Sequence, residues 1–339
     1  MRLPLFALSV VIAAVCSAQS HSDPAFDSGR YATDAYPGFD DFEENTTPQR
    51  KTPRWFSFFT GPECDSASEQ MKYCKELLAE ESWSDAVDEL DALVRAWPSS
   101  PEAPQAQLML AETLERKEAS YEKAFKEYRY LVDFYSLQVD YNAAADSMYR
   151  VACTLKIEGK KLVFFRFDNN VDVRRAFEAC VLRAPGAKWV PSAMLMIAKL
   201  REDEGQYIEA IKVYENLRNI RFGEAEAQTA LVREAAARMK VLSKFGYNRD
   251  RIRDTLSFLE SAQRSASQES RVRISSYLSE VRALLEEEDY LAAKFYDSRM
   301  RTGRSAISAY EDFLMKYPDG VHSEEVKARL EQLKKGNVK

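Results

Sequence analysis

The sequence predicts an all-α protein, built as a stack of about six antiparallel helical hairpins. Three observations carry this. First, Ala86, Leu90, Leu93 and Pro98 sit at offsets 0, 4, 7 and 12, and the same offsets return as Val173, Phe177, Cys180, Pro185 and as Ala306, Tyr310, Phe313, Pro318. Second, Ala124/Tyr128/Leu131 and Ala210/Tyr214/Leu217 repeat the first three positions without the proline. Third, only 11 Gly and 12 Pro occur in 339 residues, too few for a turn-rich β fold.

A small residue followed by large ones at one and two turns, then a helix-stopping proline, is the second helix of a tetratricopeptide-type hairpin. The small residue lets two helices approach closely, and the larger ones fill the gap between hairpins. The expected fold is therefore a right-handed superhelical solenoid, which directs attention to partners rather than catalysis.

From Ser66 onward the helical periodicity is continuous. Hairpin one is expected at 67–81 and 83–96, hairpin two at 101–117 and 119–135, and hairpin three at 139–158 and 171–184. Hairpin four follows at 188–204 and 207–219, five at 224–244 and 248–264, and six at 268–298 and 302–316. A closing helix is expected at 322–335. Trp97-Pro98, Ala184-Pro185-Gly186 and Tyr317-Pro318-Asp319-Gly320 supply stop signals. The position recurs at 86, 124, 173, 210, 255 and 306, at intervals of 38, 49, 37, 45 and 51 residues, so helices and loops vary in length.

Residues 1–18 read as an export signal: Arg2, then a mostly apolar run from Leu3 to Val15. That run is shorter than the roughly 20 residues a bilayer crossing needs. Two processing readings stand side by side. Cleavage after Ala18 would release a free protein; Ala13-Ala14-Val15-Cys16 instead makes Cys16 a lipidation candidate. Residues 19–65 read as an acidic linker without stable structure, ending in an aromatic cap. Residues 19 to 50 hold Asp23, Asp27, Asp34, Asp40, Asp41, Glu43 and Glu44 against Arg30 and Arg50, a net −5. Trp55, Phe56, Phe58 and Phe59 are expected to cover the open end of hairpin one. The helical domain spans 66–335.

The composition excludes several functions. The formal charge is −6, with no basic stripe for nucleic acid. Two histidines, His21 and His322, leave no material for a His-based triad or metal site. No Gly-rich phosphate loop or Cys-x-x-Cys occurs, so no enzyme, cofactor or metal is expected. Glu286-Glu287-Glu288-Asp289 reads as a solvated face, and so do Arg251, Arg253, Arg264, Arg271 and Arg273. Cys64, Cys74, Cys153 and Cys180 allow two disulfides, Cys64–Cys74 and Cys153–Cys180. Burial as small apolar residues is the plainer reading. Tyr128, Tyr141 and Tyr149, with Tyr130 and Tyr135, cluster around hairpins two and three as candidates for a peptide groove, or for packing between repeats.

Three stretches carry a resemblance. They are Trp83 through Pro98; Phe164-Phe165-Arg166-Phe167-Asp168 with Arg175-Ala176-Phe177 and Ala184-Pro185; and Ala292-Ala293-Lys294-Phe295-Tyr296 with Arg299, Ala306 to Tyr310 and Tyr317-Pro318-Asp319. Over roughly 66 to 335 the chain resembles the BamD family of outer-membrane assembly lipoproteins, with about one additional hairpin around 224–264. The resemblance implies a non-catalytic scaffold at the periplasmic face of the outer membrane of a Gram-negative-type bacterium, bound to a BamA-like subunit and to unfolded outer-membrane proteins. It places Tyr296, Arg299 and Tyr317 at the partner-docking end. The alternative is a periplasmic tetratricopeptide coordinator of cell-division or peptidoglycan enzymes.

Overall fold

A computed structural model describes residues 61–161, 169–220, 223–245, 249–299 and 303–336. The export signal with Cys16, the acidic linker up to residue 60, the aromatic run Trp55–Phe59 and the double-Phe stretch 164–168 lie outside the described residues. Among the described residues every regular element is a helix. They are α1 (Ala67–Ala79), α2 (Trp83–Ala96), α3 (Ala103–Arg116), α4 (Tyr121–Phe134), α5 (Tyr141–Lys161), α6 (Asn169–Arg183), α7 (Val190–Asp203), α8 (Tyr207–Arg218), α9 (Glu224–Phe245), α10 (Arg249–Ser265), α11 (Gln268–Arg299), α12 (Gly303–Lys316) and α13 (Ser323–Gly336). The expected hairpins are present within a few residues of their bounds. The start of α3 falls two residues later than expected, because Pro104 takes the first turn and the Ala103 amide donates to Ser100 Oγ at 3.2 Å. Similarly, Asp140 accepts the Ala143 amide at 3.1 Å, which fixes the start of α5 at Tyr141.

The chain forms two compact units: residues up to Leu200 with Asn219–Gly223, and Arg201–Arg218 with the chain from Glu224 onward. In the first, successive helices pack against each other from α1 with α2 through α5 with α6. In the second, α8 through α13 do the same, and α9 also packs against α11.

The repeat positions account for this stacking. Ala86, Leu90, Leu93, Ala124, Tyr128, Leu131, Val173, Phe177, Cys180, Ala210, Tyr214, Leu217, Ala306, Tyr310 and Phe313 are all buried. Hairpin five keeps the pattern with Thr255, Leu259 and Ala262, also buried. Each large side chain removed from water contributes roughly 1.5–3 kcal/mol, and the small residue sets how closely the helices approach.

The turns repeat too. Glu81 (φ 59°), Ala119 (φ 51°) and Gly205 (φ 73°) each lie two residues before the hairpin's second helix, in the left-handed region. Only the third is the glycine that conformation favours. The second helices then open on Trp83, Tyr121 and Tyr207. Lys117 lies 4.2 Å over the Trp83 ring and Lys244 lies 5.4 Å over Tyr207, each lysine coming from the hairpin that follows. Lys244 Nζ also donates to the Gly205 carbonyl at 3.1 Å.

Two buried glutamines tie first helices to second ones. Gln107 Nε2 donates to the Glu127 carbonyl at 3.1 Å and to its carboxylate at 2.8 Å. Gln70 Nε2 likewise reaches the Glu89 carbonyl at 3.4 Å, and its Oε1 accepts the Cys64 amide at 3.0 Å. The segment before α1 is thus held against hairpin one.

The helix α11 differs from all others. It is 32 residues long and carries two cores. Ile274, Leu278 and Val281 pack with Leu231, Ala235 and Leu242 of α9 and Ile252, Leu259 and Ala262 of α10. Further along, Tyr290 and Ala293 pack with Tyr310 and Phe313 of α12 and Val326 and Leu330 of α13.

One expectation is corrected, and of the two readings of the cysteines the structure favours the plainer one. All four described cysteines are free. Cys74 and Cys180 are buried at positions that demand a small side chain; burial pushes the Cys74 thiol up to about 12 and raises that of Cys180. The acidic run at 286–289 is not a solvated face. The Asp289 side chain is only 9% exposed, and it binds Arg249, Lys316 and Tyr317. Glu286 accepts the His322 amide at 3.4 Å, and Glu287 meets His322 Nε2 at 2.6 Å. The run lies where α11 passes from its first core to its second, so three of its four carboxylates are used to hold neighbouring segments. The five arginines, by contrast, are exposed as expected.

Candidate protein-interaction surface

A tyrosine, an acid and an arginine form one motif three times. Tyr128 on α4 donates to Glu115 at the end of α3 at 2.7 Å, and Glu115 also accepts from Arg150 of α5 at 2.8 and 2.9 Å. Tyr214 on α8 donates to Glu202 at 2.6 Å, and Arg233 of α9 lies 3.6 Å from that carboxylate. Tyr310 on α12 donates to Asp297 at the end of α11 at 3.1 Å, and Arg329 of α13 reaches Asp297 at 2.7 and 3.1 Å. Each motif joins the two helices of a hairpin to the first helix of the next.

Electrostatics follow from that geometry. Burial opposes the charge on Glu115, but the bonds from Arg150 and Tyr128 outweigh it and hold its carboxyl below the ordinary range. Asp297 is held low chiefly by Arg329. Burial and the neighbouring Asp297 push the Tyr310 hydroxyl up to about 12, and Tyr128 and Tyr214 are raised for the same reasons. These hydroxyls stay protonated as donors at neutral pH. Composition and spacing pointed to the ring positions; the signal for the motif was an acid 12 or 13 residues before the tyrosine and an arginine 19 to 22 after it.

The groove candidates separate accordingly. Tyr128 is fully buried with its hydroxyl on Glu115, so it fixes helices and offers no surface to a peptide. Tyr141 is half-buried and donates to the Arg183 carbonyl, joining α5 to α6. Tyr149 is half-buried and stacks on Trp189 at 4.6 Å and 4°, with the Trp189 indole donating to Asp146 at 2.7 Å. Tyr149 also meets the buried Phe177 ring edge-on at 5.9 Å, and Trp189 is likewise half-buried. Tyr130 and Tyr135 are buried, and Tyr135 donates to the Pro98 carbonyl at 2.7 Å.

The docking candidates also separate. Tyr317 packs against the α11–α13 core and donates to Asp289 at 3.1 Å; burial and that carboxylate push its hydroxyl up to about 12. It holds the end of α12 in place. The Arg299 side chain lies outside the described residues. Asp297, two residues before it, is engaged by Arg329 and Tyr310. Tyr296 is 42% exposed, beside Phe295 at 55% and Leu291 at 54%. Their proximity at one end of α11 makes this the largest group of exposed apolar side chains on any single helix described.

Among the described residues no helix is long and apolar enough to cross a membrane. No family model matches the chain, and no curated protein does. Among solved structures it is similar to a tetratricopeptide repeat protein from Parabacteroides merdae ATCC 43184, at 11% identity and a TM-score of 0.31, over 80% of this chain and 99% of that one. The fold and the repeated motif together define a helical-repeat protein, of the class whose stacked hairpins present extended surfaces to other proteins.

Proposed function

We propose that this chain is an exported scaffold subunit of an outer-membrane β-barrel assembly machine. It works at the periplasmic face of the outer membrane. The end of α11, with Tyr296 at its centre, docks a larger membrane-embedded subunit of BamA type. The observation that carries this reading is the exposure of Leu291, Phe295 and Tyr296 on one helix whose other side is fixed by two cores. A rigid aromatic anchor on a regular element is the arrangement that interface hot spots favour. Arg299, one turn on, adds the residue type most enriched there besides the aromatics. The half-exposed Tyr149 and Trp189 of the first unit are offered to unfolded barrel segments as a stacking surface, with Tyr141 beside them. The signal at 1–18 supports export, and lipid on Cys16 would hold the chain at the membrane.

Deleting everything after residue 265 is a poor test, because it strips Ile274, Leu278 and Val281 from the core of α9 and α10. A photo-crosslinker in place of Tyr296 in intact cells is cleaner. A covalent adduct with a barrel-bearing assembly subunit is expected, with N-terminal acyl chains on Cys16. An adduct with a cell-wall enzyme, together with a free N-terminus at Gln19, would replace this reading with the soluble coordinator.

A further inference from the structure

Leu284, Glu288, Leu291 and Phe295 follow one another along α11 by four, three and four residues, so they share one face of the helix. Leu291 and Phe295 are more than half exposed, and Leu284 is half-buried. The opposite side carries Tyr290, Ala293 and Asp297, engaged with α12 and α13. This spacing is that of one strand of a two-helix seam. Glu288 occupies the middle of the stripe. Its Oε2 is shut off from solvent and meets no donor among the described residues. A carboxylate that has already lost half its hydration becomes costly once the rest is covered, unless the covering surface brings a cation.

We infer that this stripe docks an amphipathic helix of a protein partner, with apolar residues at heptad spacing and one Lys or Arg set to face Glu288. The inference rests on the scaffold reading above and names the chemistry of the partner. Charge selects this occupant over the others. Two copies of this chain would bury the Glu288 carboxylate opposite either a second Glu288 or an apolar side chain. An anionic membrane would be repelled by Glu287 and Glu288. The chain's own residues 19 to 50, at a net −5, would be repelled as well.

The test uses the full chain and two synthetic probes. Each is an amphipathic helix of about three heptads with Leu at the a and d positions. One carries a single Lys at the central d position, and its twin carries Glu there. Fluorescence anisotropy should show the Lys probe binding at least about 10-fold more tightly than the Glu twin. Glu288→Lys should reverse that order. Phe295→Ser should abolish binding of both probes while leaving thermal unfolding unchanged, since the side chain is exposed. Equal affinity for the two probes, no reversal in Glu288→Lys, or a dimer of the full chain that Phe295→Ser dissolves would overturn the inference. The charge reversal decides the matter even if Phe295→Ser fails to fold. Loss of the Lys preference with the Tyr296 adduct intact would sink the helix partner alone. Loss of the adduct with the preference intact would sink the assembly reading alone.

Discussion

The two units use the same motif on different frames. In the first, Tyr128, Glu115 and Arg150 join helices of 14, 14 and 21 residues. In the second, Tyr310, Asp297 and Arg329 do the same, but Asp297 belongs to a 32-residue helix. Helix α11 turns one face to α9 and α10 and another to α12 and α13. The packing direction changes along the helix, and the acidic run from Glu286 to Asp289 falls at the change. The comparison teaches that the repeat motif is indifferent to helix length. It needs only a tyrosine one turn after the small residue, an acid at the preceding helix end and an arginine beyond. What the long helix adds is a stretch where, among the described residues, Leu291, Phe295 and Tyr296 are exposed.

The comparison can be broken at several strengths. Phe313→Ala should cost the most, about 3–5 kcal/mol, because the second core of α11 loses its largest fully buried ring. Leu90→Ala in the first unit should cost about 2–5 kcal/mol. Chemical denaturation of the two variants, followed by fluorescence and circular dichroism, measures both. Equal losses near zero would show that these side chains do not hold the hairpins.

Overpacking at the closest approach comes next. Ala86→Leu and Ala306→Leu should each destabilise by roughly 1–3 kcal/mol, since both side chains are buried against a neighbouring helix. Melting shifts below a degree for both would show that the small positions are not tightly packed.

The motif itself has a smaller expected effect, and a pH signature. Tyr128→Phe, Tyr214→Phe and Tyr310→Phe should each cost about 0.5–1.5 kcal/mol, the net worth of one hydrogen bond. Asp297 and Glu115 have folded carboxyls below their ordinary range, so their contribution is present above about pH 5 and is lost as the pH falls through the folded values. The raised tyrosines act oppositely. Their contribution is present below about pH 10 and is lost as the pH climbs toward the folded value of about 12 for Tyr310. Urea midpoints across pH should therefore fall on both sides, and Tyr310→Phe should flatten the alkaline limb.

The smallest effect concerns the turns. Glu81→Gly and Ala119→Gly should stabilise by about 0.5–1 kcal/mol, because strain in the left-handed region outweighs the added freedom of the unfolded chain. Gly205→Ala should destabilise by a similar amount, with its new Cβ 3.3 Å from Lys244 Nζ. A loss of stability in both glycine variants would mean that the turns are not strained.

The sequence by itself determined the helices, their order and their buried positions. Offsets of 4 and 7 put Leu90 and Leu93, or Tyr310 and Phe313, on the side of a helix that must leave water, and Pro98, Pro185 and Pro318 end helices by removing a donor. These are local rules, and they read directly from spacing. Tertiary structure decided which polar groups meet. Tyr128 stood both at a repeat position and among the groove candidates, and only the arrival of Glu115 and Arg150 from two other helices lets its hydroxyl be buried. Asp289 looked like part of a solvated acidic run, and only the approach of Arg249, Lys316 and Tyr317 withdraws it. The exposure of Phe295 was equally hidden, because an apolar residue in a periodic helix reads as core until the neighbours that would cover it are placed. Burying a polar group is costly unless a partner compensates its lost water, and for Tyr128 and Asp289 those partners lie 13 to 40 residues away on other helices.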